Sequence, residues 1–150
     1  MNKISDFAAH FPSSGIRAMF EVALNYPGYA NLCNGEPNFE TPQNIKDSAI
    51  KALQDGQTRY APETGTPAFR LAVADKYTRQ FGRNYGPENI CASLGGVEAV
   101  MLTLMAILNP GDEVIIPDPS YTCYPAQVEA LGCKVVRVPL YEKDGFKRWG

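Results

Sequence analysis

The sequence predicts an α/β fold with parallel strands joined by crossover helices. Three observations predict it. From Asn89 to Val138 the chain alternates short strand-like runs with helix-length apolar segments, in the order strand, helix, strand, helix, strand. Gly, Pro or Asn punctuates each change, and the connections are long enough to carry a strand back to the same edge, as parallel neighbours require. The composition is that of a globular chain: 45% hydrophobic and 20% charged over 150 residues. Such a chain can bury a core, which a disordered one cannot.

The elements follow in order. Ser14–Tyr26 predicts a short helix with Ile16, Met19, Phe20 and Ala23 on one stripe, broken by Pro27-Gly28. Ala30–Cys33 reads as extended and leads into the turn-rich Asn34–Asn38. Thr41-Pro42 reads as the cap and first position of a second helix, with Gly56 past its last turn and Ile45, Ala49, Ala52 and Leu53 as its stripe. The polar loop Gln57–Gly65 carries Tyr60. Thr66-Pro67 and Gly82 bracket a third helix, in which Phe69, Val73, Tyr77 and Phe81 recur every four residues.

Asn89–Leu94 predicts a first strand and Gly95-Gly96 a sharp turn. Val97, Val100, Met101, Leu104, Met105 and Leu108 then keep helical spacing, with Met101 and Met105 read as core filling. Glu113–Pro117 predicts a second strand, Tyr121–Leu131 a helix stopped by Gly132, and Lys134–Val138 a third strand. Only Pro139–Gly150 follows, with a Lys-Asp-Gly turn. Parallel sheets want both faces covered and more strands than three. The pattern therefore predicts a sheet left incomplete at residue 150.

Charge and cysteine usage exclude several classes. The net charge of −2 and pI near 5.4 speak against a nucleic-acid or membrane-surface protein. The longest apolar reach, Val97–Leu108, contains Glu98 and is too short for a membrane span. The N-terminus has no apolar stretch of signal-peptide length. Cys33, Cys91, Cys123 and Cys133 form no Cys-x-x-Cys pair and read as buried or half-buried free thiols of a cytoplasmic protein. His10 is the only imidazole, so neither a zinc site nor a Ser-His-Asp arrangement is expected.

Two places carry candidate chemistry. Ser93-Leu94-Gly95-Gly96-Val97-Glu98 joins a strand to a helix N-terminus, where unpaired N–H groups and the positive end of the dipole collect. Two glycines would let an anion close to the backbone, so the turn is either a phosphate site or a plain tight connection. It is not GxGxxG, and no Gly-Lys-Ser/Thr follows. Asp118–Pro125 (DPSYTCYP) directly follows the second strand, on the side of an open sheet where ligands gather. Tyr121 there either stacks on a planar ring or packs beneath a loop. A phosphorylated aromatic cofactor would satisfy both places together.

Five stretches in register carry a more specific signal: LCNGEPNF from Leu32, RYAPETG from Arg59, SLGGVEA from Ser93, NPGDEVIIPDPSY from Asn109 and the Tyr124-Pro125 pair. From Phe11 to about Phe146 the chain resembles the front of a class I aminotransferase: fold type I, aspartate-aminotransferase-like, pyridoxal 5′-phosphate-dependent. The resemblance implies a partial large domain of that fold over residues 37–150, preceded by an N-terminal arm and small-domain segment over residues 1–36. It implies that Gly35 faces the substrate carboxylate and that Gly95, Gly96 and Val97 form the cup for the cofactor phosphate through their backbone N–H groups. Tyr121 would stack on the pyridine ring. Tyr60 would reach across a two-fold homodimer to the partner's cofactor phosphate.

The activity implied is transfer of an amino group between an amino acid and a 2-oxo acid, the substrate being aspartate-like or aromatic. The family's lysine that forms an imine with the cofactor, its pyridine-pairing Asp and its carboxylate-clamping Arg all match positions beyond residue 150. Lys3, Lys46, Lys51, Lys76, Lys134, Lys143 and Lys147 occupy no matching motif, and Asp118 precedes the stacking tyrosine rather than matching the acidic position. No catalytic residue is therefore expected within the chain, which alone should be inactive. A non-catalytic cofactor-binding fragment, or a carbon–sulfur lyase of the same fold, shares these residues. The tail Lys147–Gly150 departs from the family's pattern.

Overall fold

The computed structural model describes residues 3–10, 15–28, 30, 32 and 35–147. They form helices α1 (Asp6–His10), α2 (Gly15–Ala23), α3 (Gln43–Gln54), α4 (Pro67–Phe81), α5 (Gly96–Ile107) and α6 (Cys123–Ala130), with strands β1 (Glu113–Asp118) and β2 (Lys134–Pro139). Single 3-10 turns lie at Pro87–Asn89 and Glu142–Asp144. The chain divides into two compact units, one of residues 36–99 and one of residues 1–35 with 100–150.

In the unit containing both strands, β1 and β2 pair in parallel with Glu113 opposite Lys134 and Asp118 opposite Pro139. Helix α6 makes the crossover between them, as a parallel pair demands. Ile116, Val128 and Cys133 are its buried centre, with Leu104, Leu108, Val114, Leu131 and Val135 packed around them. Each such aliphatic side chain contributes about 1.5–3 kcal/mol when fully buried. Backbone bonds fasten the strand ends: Gly111 N–H donates to Gly132 O at 2.8 Å and Lys134 N–H to Asp112 O at 2.8 Å. Alternation decides the rest, for Ile115 on the opposite face of β1 is exposed.

The expected first strand is not one. Residues 90–94 are extended in neither ladder and pair with no strand among the described residues. A strand is defined by its hydrogen-bonded neighbour, and β-branched sequence cannot supply that neighbour alone. The described sheet therefore has two strands where three were expected.

The unit of residues 36–99 is built on α3 and α4. Thr66 caps α4, its hydroxyl accepting the Phe69 N–H at 3.4 Å, and Gly82 ends it with φ +66°. At α3 the expected cap moves one residue: Pro42, not Thr41, is the N-cap and makes no side-chain bond. The buried side of α4 also differs from expectation. Ala74 is fully buried and Arg70, Val73 and Thr78 are half-buried, whereas Phe69, Tyr77 and Phe81 are largely exposed. Tyr77 and Phe81 stack on each other at 5.5 Å instead. The expected α3 stripe is exposed at Ile45 and Leu53 as well.

Helix α2 starts and stops within the predicted span, tightening after Ala23 through Tyr26 N–H to Ala23 O at 2.9 Å. Helix α1 was not anticipated; His10 Nδ1 lies 2.7 Å from Asp6 O and closes its last turn. Met105 is exposed rather than core filling, while Met101 is half-buried. Helix α5 is apolar almost all round, so its periodicity could not select the inward face. Cys133 is buried and Cys123 half-buried, but Cys91 is exposed, and all three thiols are free. The run expected at 30–33 and the turn after it include Asn31, Cys33 and Asn34, which lie outside the described residues, as do Arg148, Trp149 and Gly150.

Candidate cofactor site

The glycine turn is a conformation before it is a set of side chains. Gly95 has φ +87°, a region L side chains avoid, and Gly96 opens α5. Three contacts fix the bend. Ser93 Oγ donates to Gly95 O at 3.1 Å, Ala99 N–H donates to the same carbonyl at 3.1 Å, and the Glu98 carboxylate accepts the Leu94 N–H. A Cβ placed on either glycine would meet nothing within 4 Å, so the space beside the backbone is open. The first turn of a 12-residue helix directs its N–H groups and dipole into that space. This donor set suits a phosphate: backbone N–H groups, no obstructing Cβ and a positive helix end. Glu98 reaches back rather than outward, its charge engaged by a backbone donor.

Tyr60 lies in the same unit, on a loop with no regular structure, and its ring is fully exposed. The loop is nevertheless anchored at its far end. Gly65 N–H donates to Pro62 O at 2.9 Å, and Ala92 N–H, three residues before Gly95, donates to Thr64 O at 3.0 Å. Periodicity gave no sign of Arg70, which lies in α4 and bonds Thr64, Pro87 and Ile90 at once. Its only sequence signal is a cation seven residues before Tyr77 and eleven before Phe81, on the same side of α4 as those aromatics.

Tyr121 and Gly35 belong to the other unit. Tyr121 follows the carboxyl end of β1 and precedes α6. Tyr121 is 45% exposed. Tyr124 meets it edge-on, with centroids 5.4 Å apart and planes at 73°. A hydrogen bond with the Cys123 side chain, and then repulsion from that group in its thiolate form, pushes the Tyr121 phenol above its ordinary value. Gly35 is exposed, with open space where a side chain would be. Thus the structure gathers Gly95, Gly96 and Val97 into one turn and ties the loop of Tyr60 to the segment leading into it.

Four of the seven lysines have side-chain partners. Lys46 pairs with Glu40 at 2.9 Å, Lys51 with Asp55 at 2.8 Å and Lys134 with Glu113 at 3.7 Å, while Lys143 lies over the Tyr141 ring. Asp118 faces Arg137 at 3.7 Å. Among the described residues no cluster of His, Cys, Asp and Glu could hold a metal, and no helix is long and apolar enough to cross a membrane.

A parallel α/β unit defines the fold class, and comparison with known proteins narrows it. Residues 27–148 match the family described as aminotransferase class I and II. The chain belongs to that family. It is 40% identical over 133 residues to the aspartate aminotransferase of Pyrococcus horikoshii, which covers 89% of this chain and 34% of that protein. It is 42% identical over 115 residues to the aspartate/prephenate aminotransferase of Thermus thermophilus, covering 77% of this chain and 30% of that one. The solved aspartate aminotransferase of Thermus thermophilus with maleate superposes with a TM-score of 0.90 at 36% identity, over 97% of this chain and 39% of the other. The chain thus spans 34% and 30% of the length of these two relatives.

Proposed function

We propose that the chain supplies the phosphate-holding part of a pyridoxal 5′-phosphate-dependent aminotransferase, which moves an amino group between an amino acid and a 2-oxo acid. The observation that carries this reading is the open, left-handed glycine turn at the head of α5 in a chain of the aminotransferase family. Gly95, Gly96 and Val97 hold the phosphate through main-chain donors, and the field of α5 favours its charge. Tyr121 offers an uncharged π-face to the pyridine ring, steadied by Tyr124. The cofactor, when bound, supplies an electron sink that allows an amino acid to lose its Cα proton. Gly35 leaves room for the substrate carboxylate. The chain's likeness to an aspartate aminotransferase and an aspartate/prephenate aminotransferase favours aspartate or prephenate among the substrates.

Residues 1–36 serve as N-terminal arm and small-domain segment and residues 37–150 as cofactor-binding domain. The protein works as a cytoplasmic homodimer, in which the exposed Tyr60 reaches the partner's cofactor phosphate. None of the seven lysines is assigned the role of holding the cofactor covalently, so these 150 residues bind without turning over.

Titration with pyridoxal phosphate, read by equilibrium dialysis, tests the reading. Gly96→Glu is the informative variant, because a Cβ there meets nothing within 4 Å and the added effect is charge. Binding should be displaced by inorganic phosphate and weakened about tenfold or more by Gly96→Glu, the scale of one lost charge-assisted contact. Binding indifferent to both, or no binding, overturns it.

A further inference from the structure

Arg70 makes four hydrogen bonds from one half-buried guanidinium. Nε donates to Pro87 O at 2.8 Å and Ile90 O at 3.1 Å, Nη2 to Pro87 O at 2.5 Å, and Nη1 to the Thr64 hydroxyl at 3.1 Å. These acceptors lie on different segments. Thr64 closes the loop that carries Tyr60, whereas Pro87 and Ile90 begin the approach to Gly95. That approach has no strand partner among the described residues, so its carbonyls turn to side chains such as this one. The same two segments meet again directly, through Ala92 N–H on Thr64 O at 3.0 Å. They are close enough there that a Cβ on Gly65 would come within 2.8 Å of Ala92 Cβ. A planar fork with five donors can bridge three acceptors at once, and an ammonium on a flexible stem cannot.

We propose that Arg70 is a positioning residue that locks the Tyr60 loop to the segment bearing the Gly95-Gly96 turn, so that an anion held by the turn also orders the loop. The coupling rests on the proposed reading of the turn as a phosphate site; the lock itself does not. It gives Tyr60, fully exposed and without secondary structure around it, a defined position relative to the phosphate turn of its own chain.

Hydrogen exchange read by mass spectrometry on the full chain tests both parts, with pyridoxal phosphate and inorganic phosphate as separate probes. In the ligand-free protein, Arg70→Lys should speed exchange in residues 57–65 and 90–94 together by about tenfold, the scale of one charged hydrogen bond lost. Exchange in α3 should not change. Thr64→Val severs only the loop side of the lock, so it should free residues 57–65 while leaving the bonds to Pro87 and Ile90, and it remains informative if Arg70→Lys unfolds. With either probe bound, wild type should slow in residues 92–99 and in 57–65, while both variants slow in 92–99 alone. Loosening of one segment without the other in Arg70→Lys, or transmission to the loop that survives both variants, overturns the proposal. Protection absent from residues 92–99 of wild type instead overturns the phosphate reading and with it the coupling, and the ligand-free comparison still decides the lock.

Discussion

Gly65→Ala isolates the closest approach between the Tyr60 loop and the segment that precedes the glycine turn. Two costs add at this position. Gly65 has φ +98°, where an L residue is strained by about 1–2 kcal/mol. The new methyl would also sit 2.8 Å from Ala92 Cβ, with Phe69 Cδ1 at 3.6 Å behind it. Ala92 Cβ is bonded directly to the main chain and cannot swing aside, so overpacking adds about 1–3 kcal/mol. The sum is about 2–5 kcal/mol, large against the stability of a small domain. Urea unfolding of wild type, Gly65→Ala, Ala92→Gly and the double variant separates the two costs. The double variant keeps the strained φ and loses the collision, so it should recover about 1–3 kcal/mol of the loss in the cycle. A Gly65→Ala protein within about 0.5 kcal/mol of wild type, the usual range for an unconstrained surface site, would refute the close approach. Absence of any coupling to Ala92→Gly would refute its geometry.

Two further predictions concern single contacts. Thr66→Ala removes the cap bond to Phe69 N–H and should cost about 1 kcal/mol in the same urea assay, whereas Thr66→Ser should restore most of it. The Tyr121 phenol should ionise at higher pH than a free tyrosine in an ultraviolet titration. Cys123→Ala should lower that inflection, because the thiol's hydrogen bond is its largest cause, and Tyr121→Phe should remove it. A raised folded value means that the neutral phenol is favoured in the fold, so this contribution is intact below the unfolded value and is lost as pH climbs through the folded one. An inflection unmoved by Cys123→Ala would rule out the thiol as its cause.

What was legible in the sequence depended on how local its cause was. Thr66-Pro67 and Gly82 marked α4 to the residue, because a cap hydroxyl and a left-handed glycine act within one turn. Glu113–Pro117 and Lys134–Val138 were readable as β1 and β2 because they pair with each other inside the chain. Asn89–Leu94, with Ile90 its single β-branched residue, has no strand partner among the described residues, and it is a strand only in expectation. Burial was less legible than boundaries. Phe69, Tyr77 and Phe81 are the larger residues of α4, yet Ala74 is the buried one, since a small residue lets the segment after the helix approach closely enough for Arg70 to bond Pro87 and for Thr78 to bond Tyr85. The Gly95-Gly96 bend was visible as a pair of glycines. The arginine that holds the approach to it was not, because its acceptors lie 6 to 20 residues away.

A turn that grips an anion with main-chain groups places its vulnerable residues away from the anion. Truncating the Val97 side chain removes no donor, for the N–H groups remain in the backbone. The grip fails only when the backbone turns, and what resists turning is Gly95 at φ +87°, Ser93 on the Gly95 carbonyl, Glu98 on Leu94 N–H, and the Thr64 carbonyl on Ala92 N–H. Arg70 stands one step further out, holding both Thr64 and Ile90. Sensitivity to substitution should therefore follow this chain of pins rather than distance from the phosphate, so that Arg70→Lys, which alters no group at the turn, perturbs it more than Val97→Ala does. Side-chain sites follow the opposite order, with loss greatest for the residue that touches the ligand. The order of these two variants in pyridoxal phosphate affinity thus reports which kind of site α5 begins.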